Sequence, residues 1–211
     1  MAALIEQIEA ELTKLCPRLG QAQVQKITAA PAPPPRFVHP RPEEKPPEPL
    51  RLPGLTARYF GRSVNLDFSA WAGSACMLAI HMGAASPVKM SLVLQEGRTH
   101  GFSRSQVSTT EKGEVHAGLE EMFLVESFEE GRASQLLSDP DIEELITGLG
   151  EFERLTLHPR FFKLCRYFEK EGDITAEAIF EDIQHLQQLA EAVDAWEEPS
   201  GGKPEATAVA G

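Results

Sequence analysis

Apolar residues recur along the second half of the chain with two periods. Ile179, Ile183, Leu186, Ala190 and Val193 are separated by alternating steps of four and three, so they form one stripe of an α-helix. Glu181, Asp182, Gln184, Gln187 and Glu191 lie off that stripe. A helix of about 20 residues is about 30 Å long and can cross a small sheet. Thr175 or Asp173 stands where its N-cap is needed. A second helix is marked by Asp139, a candidate N-cap, and by Pro140 at the first helical position, where no amide donor is required. Asp141, Glu143 and Glu144 meet the positive end of its dipole; Ile142, Leu145, Ile146 and Leu149 give its apolar side, and Gly148 and Gly150 its stop. Residues 129–137 are helical in composition, with Ala133, Leu136 and Leu137 apolar.

Elsewhere the period is two. Val64, Leu66 and Phe68 alternate with Ser63, Asn65, Asp67 and Ser69, and Val88, Met90, Leu92 and Leu94 share one parity. Both stretches read as half-buried strands. Residues 75–82 are more continuously apolar, compatible with a central strand or a buried helical turn. Residues 119–125 end in a dense apolar run of strand type. Residues 152–157 and 161–168, rich in Phe, Leu, Cys and Tyr, are separated by His158-Pro159-Arg160, which suits a hairpin. A turn at 96–98 follows the strand that carries Val88 to Leu94, and residues 102–108 and 113–116 are weaker strand candidates beyond it.

The N-terminal segment has its own seam. Ile5, Ile8, Leu12, Leu15 and Leu19 step by three, four, three and four, with Pro17 near the end. A lone helix of this size is marginal in water, so its seam must be covered. Residues 29–55 contain 10 of the 16 prolines, a composition that extends as polyproline II. The expected organisation is a helical arm at 1–28, a linker at 29–55, a domain at 56–196 and a disordered tail at 197–211. On this reading the arm docks a separate protein through Ile5, Ile8, Leu12, Leu15 and Leu19 and adds little to domain stability.

Charge narrows the partners. The net charge is −12; eight basic and six acidic residues up to Arg58 leave +2 there, so the remainder carries −14. Such a domain is a poor ligand for nucleic acid or anionic membrane, both of which need clustered Lys and Arg. Cys16, Cys76 and Cys165 are few, odd in number and far apart, which fits a reducing compartment and a cytoplasmic location. No apolar run approaches the length of a membrane span. Cys76 and Cys165 lie in apolar runs and read as small buried hydrophobes.

Catalytic patterns are lacking. The histidines, His39, His81, His100, His116, His158 and His185, have no HExxH spacing, and His100 with His116 and Glu114 falls short of the three or four converging ligands a metal needs. No phosphate-binding glycine loop or GxSxG elbow occurs. No cofactor is expected, and no catalytic or metal residue is assigned.

Residues 114–127, with Ala117-Gly118, an acidic residue and Phe123-Leu124-Val125, resemble a segment in a loose set of uncharacterised bacterial proteins. In that set a short helix with paired leucines, a capped helix, a β-hairpin and a C-terminal helix follow, and the resemblance spans roughly residues 59–193. Many of those proteins carry a membrane anchor ahead of the domain, where this chain has its proline-rich stretch. The resemblance implies no activity.

The expected fold is α+β: an antiparallel sheet from residues 59–126, completed by the 152–168 hairpin, packed on one face by the C-terminal helix and the 129–149 helices. Two functions fit it. One is a non-catalytic protein-interaction module; the other is a domain that binds an apolar small molecule between sheet and long helix, with weak hydrolytic chemistry conceivable. A closed core favours the first, and a cavity of about 300 Å³ or more with convergent polar groups favours the second.

Overall fold

The computed structural model describes residues 2–26, 50–70, 76–94, 119, 123–127 and 129–197. Helix α1 spans Ala2–Leu15 and is followed by strands β1 (Gly20–Gln25), β2 (Leu50–Arg51), β3 (Gly54–Tyr59), β4 (Arg62–Ala70), β5 (Cys76–Met82), β6 (Met90–Leu94) and β7 (Phe123–Ser127). Then come α2 (Glu130–Leu137), α3 (Pro140–Gly148), β8 (Arg154–His158), β9 (Phe161–Phe168) and α4 (Ala176–Ala195). All the pairings are antiparallel, in the order β1-β3-β4-β5-β9-β8-β6-β7, with the short β2 also on β4. The α+β class expected from the sequence is observed. The β8–β9 hairpin sits inside the sheet, between β5 and β6, where the expected architecture had it completing the sheet.

One face of the sheet is built by the period-two residues. Val64, Leu66, Phe68 and Ala70 of β4 stand opposite Met82, Ile80, Leu78 and Cys76 of β5, which in turn oppose Phe162, Leu164, Arg166 and Phe168 of β9. All but Arg166 are buried. The continuous run in β5 is therefore a central strand, flanked on both edges by ladders of seven residues. The helices cover this face in the order α1-α4-α3-α2. Ile179, Ile183, Leu186, Ala190 and Val193 of α4 are at most 2% exposed, so the apolar stripe is closed against the sheet.

Capping follows the local chemistry. Asp139 accepts from the amides of Asp141 (3.0 Å) and Ile142 (3.3 Å), and Thr175 from that of Ala178 (3.2 Å). The α3 end passes through Gly150 at φ 68°, a left-handed value that favours glycine. Leu119 is helical and buried, and strand β7 starts only at Phe123, so the apolar run at 119–125 is not one strand.

The N-terminal segment departs from the expected arm. Ile8, Leu12 and Leu15 are 0% exposed, Leu4 and Leu19 are buried and Ile5 is partly buried, all in the same core as the sheet and α4. Strand β1 then pairs with β3, from Gly20 opposite Arg58 to Gln25 opposite Gly54. Glu11 of α1 accepts from the Ala176 amide of α4 at 2.8 Å, and Gln7 donates to the Ile174 carbonyl at 3.3 Å. Its Lys14 partner and this amide hold the Glu11 carboxyl below its usual range against the opposing effect of burial. The seam residues Ile5, Ile8, Leu12, Leu15 and Leu19 are thus core of this chain and are not offered to a separate one. The domain begins at α1, and residues 50–55, placed in the linker by composition, are already in the sheet: Leu52 is buried and β2 and β3 pair with β4. Residues 27–49, the remaining strand candidates at 102–108 and 113–116, His100 and His116, and the tail at 198–211 lie outside the described residues.

Candidate functional site

Three depressions of the described surface bear on function. The largest of the three, about 510 Å³, lies where β8 begins, β9 ends and α4 begins, and Glu151, Glu153, Glu169 and Asp173 line it together with Arg166 and Lys170. Below it Arg166 donates to Asp182 of α4 (2.7 Å) and to the Leu149 carbonyl that ends α3 (2.8 Å). Asp182 is 5% exposed. Burial raises its carboxyl to about 6, with Arg166 pulling the other way. This junction ties α4, β9 and α3 together. The expected site for an apolar ligand, between sheet and long helix, is filled by side chains, and this 510 Å³ cleft outside it mixes six charged residues with Leu94, Phe152, Tyr167, Phe168 and Ala178.

A second depression, about 350 Å³, lies on the sheet face opposite the helices and includes Ser63, Asn65, Asp67, His81 and Arg160. His81 Nε2 is 3.7 Å from Asp67 Oδ2, beyond hydrogen-bond reach, so the carboxylate does not orient the imidazole. Burial and Lys163 lower the His81 pKa, which keeps the ring neutral, and Asp67 opposes them weakly. Among the described residues no group of three His, Cys, Asp or Glu side chains is placed to hold a metal. Cys76 and Cys165 are buried, as their sequence setting suggested, and burial pushes the Cys165 thiol up, away from nucleophilic form.

The third depression has a different character. Strands β3 and β4 pair up to Tyr59 opposite Arg62, leaving the two-residue loop Phe60-Gly61. Such a tight hairpin needs positive φ at both loop residues, the conformation that Asn-Gly supplies at low cost. Here Gly61 is at φ 79° but the other position is Phe60, at φ 46°. A bulky side chain is disfavoured there by about 1–2 kcal/mol. Phe60 is also 75% exposed, the large hydrophobic residue that stands clear of the surface among the described residues. It contacts Tyr59 edge-on (4.7 Å between centroids), Tyr59 contacts Phe180 of α4 likewise (5.5 Å), and the Arg18 guanidinium lies 3.6 Å over the Phe180 ring. Arg18 is clamped by both oxygens of Glu177, at 2.7 and 3.3 Å.

Beside this aromatic ladder is a groove of about 420 Å³, bordered by Arg18, Gly20, Gln21, Arg58 and Phe60. Its floor is irregular. Gly20 pairs with Arg58 and Gln23 with Thr56, so two residues, Gln21 and Ala22, oppose the single Ala57 in a β-bulge, and Gln21 takes φ 53°. No carboxylate borders the groove among the described residues, and Arg58 makes no ion pair there. Sequence reasoning missed this site because Tyr59 and Phe60 fall at the start of the stretch assigned to the sheet, with nothing in their type to mark a loop tip. The signal that could have found it is Gly61, which marks a two-residue loop and puts Phe60 at its tip.

No helix among the described residues is long and apolar enough to cross a membrane. No family model matches the chain, and no curated protein matches it. A similar arrangement occurs in the crystal structure of the mycobacterial trehalose monomycolate transport factor A, TtfA, at 12% identity and a TM-score of 0.46 over 71% of this chain and 75% of that one, a likeness too slight to carry family or function across.

Proposed function

We propose that this chain is a non-catalytic protein-interaction module that engages its partner through the β3–β4 hairpin tip. One observation carries the reading: Phe60 is 75% exposed in a backbone conformation that disfavours it. Folding alone would be served better by Asn or Gly at that position, and solubility by a polar residue. Strain combined with exposure points to binding. Aromatic side chains fixed at the centre of a patch are what anchor protein interfaces, and the ladder to Phe180 in α4 holds this one from below.

The test is a photo-crosslinking side chain placed at position 60 in the full chain, irradiated in native lysate, with exposed Gln184 of α4 as the control position. A discrete adduct at 60 that is absent from 184 is expected. No adduct, or the same adducts at both positions, contradicts the reading.

A further inference from the structure

Resting on that reading, we propose that the groove beside Phe60 takes a short extended segment of a partner protein in which an apolar side chain neighbours a carboxylate. Three features of the groove converge on this occupant. The apolar side chain has its counterpart in Phe60 and Tyr59, which line the groove and contact each other edge-on. The carboxylate has its counterpart in Arg58, exposed and held toward the tip by donation to the Gly61 carbonyl (3.4 Å). A guanidinium pairs a carboxylate through two parallel N–H groups, which gives geometry as well as charge.

The extended backbone has its counterpart in β1. This strand is the end of the sheet order, so the row of amides and carbonyls on its edge away from β3 has no neighbouring strand among the described residues, and its Gly20 and Gln21 border the groove. The bulge at Gln21 further releases backbone groups from the β3 ladder at the groove itself. Free main-chain donors and acceptors beside an apolar anchor suit a peptide better than a compact small molecule, because an added strand bonds them in register.

Charge sets the selectivity. The chain carries a net charge of −12, so an acidic segment is disfavoured over much of it, whereas at the groove Arg58 is available to it and Arg18 is already paired with Glu177. The same excess works against an anionic membrane surface, for which two arginines and one ring are a small footprint.

The experiment is selection of a displayed library of random 12-residue peptides on the immobilised full chain. Enriched peptides are then measured by fluorescence anisotropy against the wild type and the Phe60→Asn and Arg58→Glu variants. The expected peptides carry Asp or Glu next to an aromatic or aliphatic residue, bind about thirtyfold or more weakly to Phe60→Asn and at least about tenfold more weakly to Arg58→Glu, and weaken with added salt. Peptides that depend on Phe60 but lack an acid, or ignore Arg58→Glu, overturn the partner chemistry and leave the interaction surface standing. No enrichment, or binding indifferent to Phe60→Asn, overturns both. A Phe60-dependent dimer in sedimentation would make the occupant a second copy, and Phe60-dependent binding to phosphatidylserine vesicles would make it a membrane; either result overturns the peptide proposal.

Discussion

Truncating Leu12 to Ala separates an integral α1 from a detachable arm. Leu12 is 0% exposed and lies in the core that α1 shares with β1, β3 and α4. Removing its isobutyl group loses the transfer free energy of a buried aliphatic side chain, about 1.5–3 kcal/mol. The void left behind adds to that, and buried Leu→Ala changes cost about 2–5 kcal/mol in total. Alanine is the better helix former, but by only a few tenths of a kcal/mol, so propensity does not offset the loss. The middle of the range, about 3 kcal/mol, is the expected value. Urea unfolding of the full chain measures it as a lower midpoint at an unchanged slope. Exposed Thr13→Ala serves as the surface control. A Leu12→Ala loss under about 0.5 kcal/mol, the range of surface changes, would show that α1 is not packed on its own domain.

Three further outcomes follow from the same geometry. The Asp182 carboxyl is raised in the folded state to about 6 from 3.8, so its contribution favours folding below pH 3.8 and is lost as the pH rises through 6. The stability difference between wild type and Asp182→Asn should therefore move in favour of the wild type between pH 7.5 and pH 5, and paired denaturation at the two values that moves the other way refutes the assignment. Glu11 has the opposite sign: its lowered carboxyl stabilises above 4.5, that support fades as the pH falls through its folded value, and Glu11→Ala should cost about 1 kcal/mol at neutral pH by uncapping Ala176. Partly exposed Cys16 should react with a thiol reagent well before buried Cys76 and Cys165, and equal rates would contradict the packing of β5 and β9.

The parts of the fold legible in the sequence are those whose signals are local. The caps at Asp139 and Thr175 and the stripe of α4 each rest on contacts within a turn or two, and all are observed. Strand β1 escaped because GQAQVQ offers only Ala22 and Val24 as inward residues, and its partner β3 lies beyond the proline-rich stretch. Polyproline extension gives the reach of such a segment, not the distance between its ends. Closing a longer loop costs little more, about 0.6 kcal/mol per doubling of length. The seam of α1 was visible as a seam, but periodicity is silent on what covers it. The hairpin tip was hidden for another reason: an aromatic residue is read as a strand former until its backbone angle is known.

The account stands most directly on Phe60→Asn, with stability and adduct-forming ability measured on the same protein. The ring is 75% exposed, so the quarter that is buried is worth about 1 kcal/mol. Relief of the left-handed backbone returns about 1–2 kcal/mol. The melting temperature should stay within about 4 °C of the wild type. Asn at 60, combined with a photo-crosslinker at Gln21 on the groove border, should abolish the adduct that the same crosslinker gives with Phe60 in place. Loss of several kcal/mol of stability with the adduct unchanged would show that Phe60 serves the fold and not a partner.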